Sequence, residues 1–214
     1  PMGDLVALKQ VAKAHGQMGG SAENSARAEI EAAALLAEVS RMPGHSNIIS
    51  LHACEETRRD IFCVFEIGGK CLTKHLFEMK GEFSNGARIY RIVHQPFYLK
   101  MKSSIGLTHL RDFLRQMFSA LEVLRTVNIV HADIKPENIL VRQHENGAFC
   151  AQLCDFGSST VFQEGRVGVA TPEYMPPEIL KKNSLRSMRQ VHFYVSKFKL
   201  LIFAITNFDG RARF

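Results

Sequence analysis

The sequence predicts an α+β chain in two parts: a small N-terminal antiparallel sheet carrying one helix, followed by a mostly helical second lobe. Three observations predict it. Short apolar or β-branched runs at 4–9, 48–51 and 61–65 read as strands. An alanine-rich run at 21–42 reads as a helix. Beyond Gly68-Gly69, Leu110, Phe113, Leu114, Met117, Phe118, Leu121 and Leu124 recur at three- and four-residue steps, the stripe of an amphipathic helix.

Taken in order, the first strand ends at Lys9, and Gly16, Gly19 and Gly20 break the chain before the alanine-rich helix as a flexible connector. The charged stretch 55–60 turns the chain between two strands. Segment 80–104 carries Gly81, Asn85-Gly86 and a cluster of Phe, Tyr and His without a clear period, so an irregular insert is expected there. Ala151-Gln152-Leu153-Cys154 is strand-like. No internal repeat stands out.

With 214 residues, 46% of them hydrophobic, the chain is long enough for one large domain or two small lobes. Eight of the 27 Lys and Arg but one of the 21 acids fall in 181–214, leaving nineteen basic and twenty acidic residues for 1–180. The basicity therefore belongs to a tail, and no specific nucleic-acid partner is expected. Five cysteines without a Cys-x-x-Cys pair argue against a disulfide framework or a zinc site and for a reducing, intracellular compartment, cytoplasmic or nuclear. Pro1-Met2-Gly3-Asp4 does not read as a signal peptide, and the apolar run 200–205 is too short to span a bilayer.

Two segments carry chemistry. His131-Ala132-Asp133-Ile134-Lys135-Pro136-Glu137-Asn138 sets a carboxylate, a lysine and an amide within six residues, and Asp155-Phe156-Gly157 begins seventeen residues after Asn138. Phosphoryl transfer is mostly positioning and charge neutralisation. Asp133 suits a hydrogen bond from an acceptor hydroxyl, Lys135 suits the charge of a moving phosphoryl group, and Asn138 and Asp155 suit magnesium. Each residue alone fits a turn or a cap. The joint pattern is specific.

On these motifs the chain resembles a eukaryotic protein kinase of the serine/threonine type, the branch marked by Lys135. The resemblance implies a kinase-like bilobal fold, truncated, with an N-lobe at about 1–66, a C-lobe at about 67–180 and a tail at 181–214 without family likeness. It also implies ATP and Mg2+ as cofactors and a protein substrate with a Ser or Thr acceptor. Val6-Ala7-Leu8-Lys9 resembles the strand whose lysine holds the inner phosphates. Glu31, four residues before Leu35, is then its helix partner, although Glu29 and Glu38 are also present and a surface pair of Glu31 with Arg27 fits as well.

The same resemblance makes 64–69 the segment bordering the adenine, with Phe65 at the back and Glu66, Ile67 and Gly68 offering backbone hydrogen bonds, and Ala7 and Leu140 as apolar walls. It stacks Leu51, His131 and Phe156 as an apolar spine. Ala170-Thr171-Pro172-Glu173-Tyr174-Met175-Pro176-Pro177-Glu178 is similar to the end of an activation loop, with Thr171 hydrogen-bonding near Asp133 and Lys135.

Ala132 stands where many kinases have arginine, so coupling of activity to a loop phosphate is expected to be missing. No Gly-x-Gly-x-x-Gly precedes Lys9, and past Leu180 the family's lower-lobe motifs and any tryptophan are absent. These departures keep a rival reading open, a catalytically inactive, pseudokinase-like interaction module. None of the motifs sets the oligomeric state.

Overall fold

A computed structural model describes residues 5–13, 20–84, 87–103 and 106–161. Thr171, the loop and Pro-Pro-Glu segment around it, the tail 181–214, Gly16, Gly19 and Asn85-Gly86 lie outside the described residues. In chain order the elements are β1 (Val6–Ala12), α1 (Ser21–Glu38), β2 (Leu51–Glu56), β3 (Asp60–Glu66), β4 (Lys70–Cys71), α2 (Leu72–Leu76), β5 (Phe77–Ser84), β6 (Ala87–His94) and α3 (Pro96–Lys102). Then follow α4 (Gly106–Thr126), β7 (Ile129–Val130), β8 (Ile139–Gln143), β9 (Phe149–Leu153) and β10 (Thr160–Val161).

The first three strands form an antiparallel sheet in the order β1-β3-β2, with Lys9 opposite Cys63 and Ala7 opposite Phe65. β3 alternates, burying Ile61, Cys63 and Phe65, as a strand with one face on a core must. Across that face lies α1, whose buried residues Ala26, Glu29, Ala32 and Leu36 recur at helical spacing. The small Ala26 and Ala32 let the helix approach the sheet closely, and Leu36 supplies the apolar anchor.

α1 stops at Glu38, short of the expected 42. The Val39 and Ser40 N–H groups bond back to Leu36 and Ala37, and Met42 N–H to Val39, so the chain tightens into three-residue turns before Pro43. Gly44 follows at φ +92°, where a Cβ would sit 2.6 Å from the Ser119 backbone of α4. Only glycine fits that crossing. Ile48 makes a single bridge to Leu153 of β9 in place of an expected strand at 48–51, and the Ile49 N–H bonds the Leu153 carbonyl at 2.8 Å. That bridge fastens the first sheet to the second half.

α4 buries Phe113, Met117, Ala120, Leu121 and Leu124, with Leu110 and Leu114 packed at its margin. Phe118 is 45% exposed, contrary to its place in the expected stripe. At 100° per residue it falls farther round the helix than any other member. The described residues of segment 80–104 are not irregular: β5 and β6 pair along eight residues each, and α3 follows, burying Phe97, Tyr98 and Met101. Its period is hidden in the sequence because apolar and charged residues occur on both faces of a two-stranded ribbon. Among the described residues the second half is also not mostly helical, since β4-β8-β9, β5-β6 and β7-β10 supply about as much strand as α2, α3 and α4 supply helix.

Arg27 of α1, Lys13 and Glu56 of β2 tie the helix to the sheet, Glu56 meeting Arg27 at 2.9 Å and Lys13 at 2.5 Å. Hydrogen bonds from Arg27, then from Lys13, pull the exposed Glu56 carboxyl down to about 2. A depressed carboxyl contributes stability above its unfolded pKa and loses it as pH falls through the folded value. Melting temperature should therefore drop between pH 4.5 and pH 2, and Glu56→Gln should flatten that part of the drop by a small amount, as befits an exposed pair. A variant as acid-sensitive as the parent in thermal melts would refute this.

Candidate active site

β1, β3 and the turn after β3 form the roof of a cleft, and β8 and the two residues that follow β9 form its floor. The cleft has a volume of ≈ 340 Å³ and is lined by Ala7, Ile49, Phe65 and Leu140 on its apolar sides and by Lys9, Glu29 and Asp155 at its polar end. Glu66 to Gly69 run along the rim. This rim is pinned through both backbone and side chain: the Glu66 N–H donates to the Ser50 carbonyl at 3.1 Å, while the Ser50 N–H and Gln152 Nε2 donate to Glu66 Oε1 at 2.9 and 3.0 Å. Gly69 turns at φ +104°, where a Cβ would lie 2.5 Å from the Val141 carbonyl oxygen, so the chain closes on β8 only with glycine there.

At the polar end Lys9 Nζ donates to Glu29 Oε2 at 2.6 Å and lies 3.6 Å from Asp155 Oδ1. The helix glutamate that meets Lys9 is therefore Glu29, not Glu31. Two residues apart on a helix are about 200° apart in direction, and Glu31 is exposed. Glu29 belongs to the buried stripe of α1, with 4% of its side chain exposed against 39% for Lys9. The signal in the sequence that could have found it is a glutamate at a helical step from Ala26 and Ala32.

Burial pushes the Glu29 carboxyl above the usual carboxylate range, opposed by the hydrogen bond and charge of Lys9. Burial also works to lower Lys9, but the hydrogen bond to Glu29 and the charges of Glu29 and Asp155 outweigh it and hold the ammonium above its ordinary value. The Phe156 backbone N–H donates to Glu29 as well, joining α1 to the Asp-Phe-Gly segment. Gly157 packs against Ser25 of α1, where any Cβ would overlap the serine hydroxyl.

The His131 to Asn138 segment sits directly beneath. Lys135 Nζ lies 2.7 Å from Asp133 Oδ2, and Asn138 Nδ2 donates to Asp133 Oδ2 at 3.1 Å and to the Asp133 carbonyl at 2.9 Å. His131, fully buried, receives the Asp133 N–H on Nδ1 at 3.3 Å, which leaves Nε2 to donate to the Cys154 carbonyl at 3.0 Å. The Cys154 N–H in turn donates to the Asn138 carbonyl at 3.0 Å. Cys154 and Asp155 are consecutive, so these bonds hold the two motifs in fixed register.

Two non-glycine residues in these motifs, Ala132 (φ 63°) and Asp155 (φ 61°), take the left-handed conformation. Such backbone persists only where surrounding contacts over-determine it. Phe156 is buried and its ring centroid lies 4.7 Å from that of His131. Leu51 and Phe156 both line a cavity of ≈ 70 Å³ with Ala33, the residue four after Glu29. Beside Asp155, burial and the neighbouring charges of Asp155 and Glu29 push the Cys154 thiol up to about 12, so it is an inert wall of the cleft.

The donor set suits a magnesium ion shared with phosphates. Among the described residues no cluster of three or more His, Cys, Asp or Glu forms a cage. Asp155 offers one carboxylate, 48% exposed toward the cleft, and Asn138, whose amide nitrogen is committed to Asp133, offers its amide oxygen. Few protein ligands and reliance on phosphate oxygens is the habit of magnesium in nucleotide sites.

A half-apolar cleft between a β-sheet with one helix and a second, mixed lobe, with a lysine–glutamate pair at its polar end, defines a kinase-like bilobal fold. Residues 1–192 match the protein kinase domain, and the chain belongs to that family. It is 29% identical over 150 residues to the death-associated protein kinase dapk-1 of Caenorhabditis elegans, covering 68% of this chain and 9% of that protein. It is 29% identical over 184 residues to the serine/threonine-protein kinase dkf-1 of the same organism, covering 84% and 22%. To the calcium/calmodulin-dependent protein kinase cmkB of Emericella nidulans it is 32% identical over 166 residues, covering 75% and 34%. The chain thus spans about a third or less of the length of these relatives. No helix among the described residues is long and apolar enough to cross a membrane.

Proposed function

We propose that this chain is a serine/threonine protein kinase that moves the γ-phosphoryl group of ATP to a protein hydroxyl. Bound magnesium ATP supplies the phosphoryl group and, through the metal, neutralises its charge. Asp133, held by Asn138 and by the His131 ring, accepts the proton of the incoming hydroxyl. Lys135, 2.7 Å from that carboxylate, turns toward the oxygens on which charge accumulates. Lys9, oriented by Glu29, binds the inner phosphates, and Asn138 and Asp155 would hold the metal. Ala7, Phe65 and Leu140 sandwich the base, with the backbone from Glu66 to Gly68 as its polar edge. Thr171 is assigned, by likeness to the family, to hold Asp133 and Lys135 in position.

The observation that carries this reading is the junction of Lys9 with both Glu29 and Asp155 at the mouth of an apolar cleft. The Ser/Thr preference is supported by Lys135 and by the likeness to a serine/threonine-protein kinase, dkf-1. Two measurements on the purified chain test it. Magnesium ATP at a hundred times its dissociation constant should stabilise the fold by about 2.7 kcal/mol in thermal melts. Labelled phosphate from ATP should appear on serine or threonine of a protein acceptor. Stabilisation without transfer would support an ATP-binding interaction module, and neither result would reject the nucleotide site.

A further inference from the structure

We propose that the β5–β6 ribbon is a self-association surface, in which the outer edge of β5 pairs antiparallel with β5 of a second copy of this chain across a two-fold axis at Gly81. The inference is independent of the catalytic reading. It starts from a physical deficit: a two-stranded ribbon is marginal in water unless a third strand or a helix covers it. Among the described residues β5 pairs with β6 alone, so from Met79 to Phe83 its other edge has no strand beside it. An open edge is a template for another strand.

The sequence of β5 selects the partner. Met79-Lys80-Gly81-Glu82-Phe83 is complementary to itself when reversed about Gly81. That register sets Lys80 opposite Glu82 of the second copy, Glu82 opposite its Lys80, and Met79 opposite its Phe83. It matches odd residues with odd and even with even, as two outward-facing antiparallel edges require. The alternatives fail on charge or on closure. β6 carries Arg88 and Arg91 and no acid, so pairing it with itself brings cations together without a counter-ion. Pairing β5 with the β6 of another copy is head-to-tail and does not close into a dimer.

Both faces of the ribbon agree with this axis. On one face Met79, Phe83 and Tyr90 are 58%, 80% and 59% exposed, an apolar strip that a second copy would double in width. A Cβ on Gly81 would lie 3.1 Å from Arg88 Nε and 3.4 Å from Tyr90 Cε1, so those two side chains lean over Gly81, Arg88 stacking on Tyr90 at 5.5 Å. Tyr90 thereby links Met79 and Phe83 across Gly81, with the Arg88 guanidinium lying on its ring. On the other face the charges make only long, exposed contacts within the chain, Lys80 to Glu78 at 3.8 Å and Arg91 to Glu82 at 3.7 Å. Such contacts are worth little and compete weakly with a cross-strand pair.

Sedimentation velocity of the full chain over a concentration series tests the interface. The parent chain should dimerise. Lys80→Glu places two carboxylates opposite one another twice per dimer and should raise the dissociation constant roughly tenfold or more. The charge-swapped Lys80→Glu/Glu82→Lys should restore it, an outcome that a misfolded hairpin cannot produce. In a Cys54→Ser background, Gly81→Cys should cross-link to a covalent dimer under mild oxidation. Glu78→Cys, about 20 Å from its symmetry mate in this register, should not. A parent chain monomeric throughout, a swap that fails to restore association, or equal cross-linking at 78 and 81 would each overturn the proposal.

Discussion

Asp133→Asn should reduce phosphate transfer by roughly 10²- to 10⁴-fold in kcat while leaving the fold intact, the usual worth of a positioned general base. Asparagine has the same shape and keeps an oxygen for the 3.1 Å bond from Asn138, so the segment between His131 and Asn138 keeps its internal scaffold. What it loses is the basic oxygen, and with it the charge that draws Lys135 to 2.7 Å. Lys135 retains partial contact with solvent, so no cation is stranded in a dry interior and melting temperature should change little. ATP affinity should also be nearly unchanged, because Asp133 is not among the residues lining the cleft. Initial-rate assays beside calorimetric melts separate these effects. A variant within about threefold of the parent rate would remove Asp133 from the role of base.

What is legible in the sequence, and what is not, follows from how each feature is encoded. The segments at 131–138 and 155–157 are short and contiguous, and their geometry is set by local turns and a few backbone bonds, so their proximity is readable without coordinates. The β3 strand and the α4 helix are readable because each has one buried face and a clean period. The register of α1 is not. Alanines on several sides blur the stripe, and choosing Glu31 by its distance from Leu35 puts the acid on the wrong face. The β5–β6 ribbon is hidden for a related reason. Beyond Phe77 and His94 at its base neither of its faces packs on a core, so exposed Met79, Phe83, Ile89 and Tyr90 carry no hydrophobic alternation to read, and only Asn85-Gly86 hints at a hairpin.

Glu29→Gln should separate activity from stability in opposite directions, and Glu31→Gln should do neither. Glutamine at position 29 removes the charge that holds Lys9 at 2.6 Å and frees the ammonium to close on Asp155, already 3.6 Å away. There it would compete with magnesium for the carboxylate and leave the inner phosphates without their cation. A loss on the order of 10²-fold in kcat/KM is expected, the scale of one removed electrostatic contact in a preorganised site. Stability should move the other way. Burial raises the Glu29 carboxyl, so the folded state holds that proton more tightly than the unfolded chain. The contribution of a group so shifted is fully present below its unfolded pKa and is lost as pH rises through the folded value. At neutral pH the parent therefore carries a cost that the Glu29→Gln variant avoids, and the variant should melt at or above the parent. The gap should narrow as pH is lowered toward 4.5, where the parent glutamate regains its proton. Lys9, whose own pKa is raised, keeps its contribution throughout this range and loses it only in strong alkali. Melts at several pH values beside kinase assays of both variants decide the matter. An inactive Glu31→Gln with an active Glu29→Gln would reverse the assignment of the helix face.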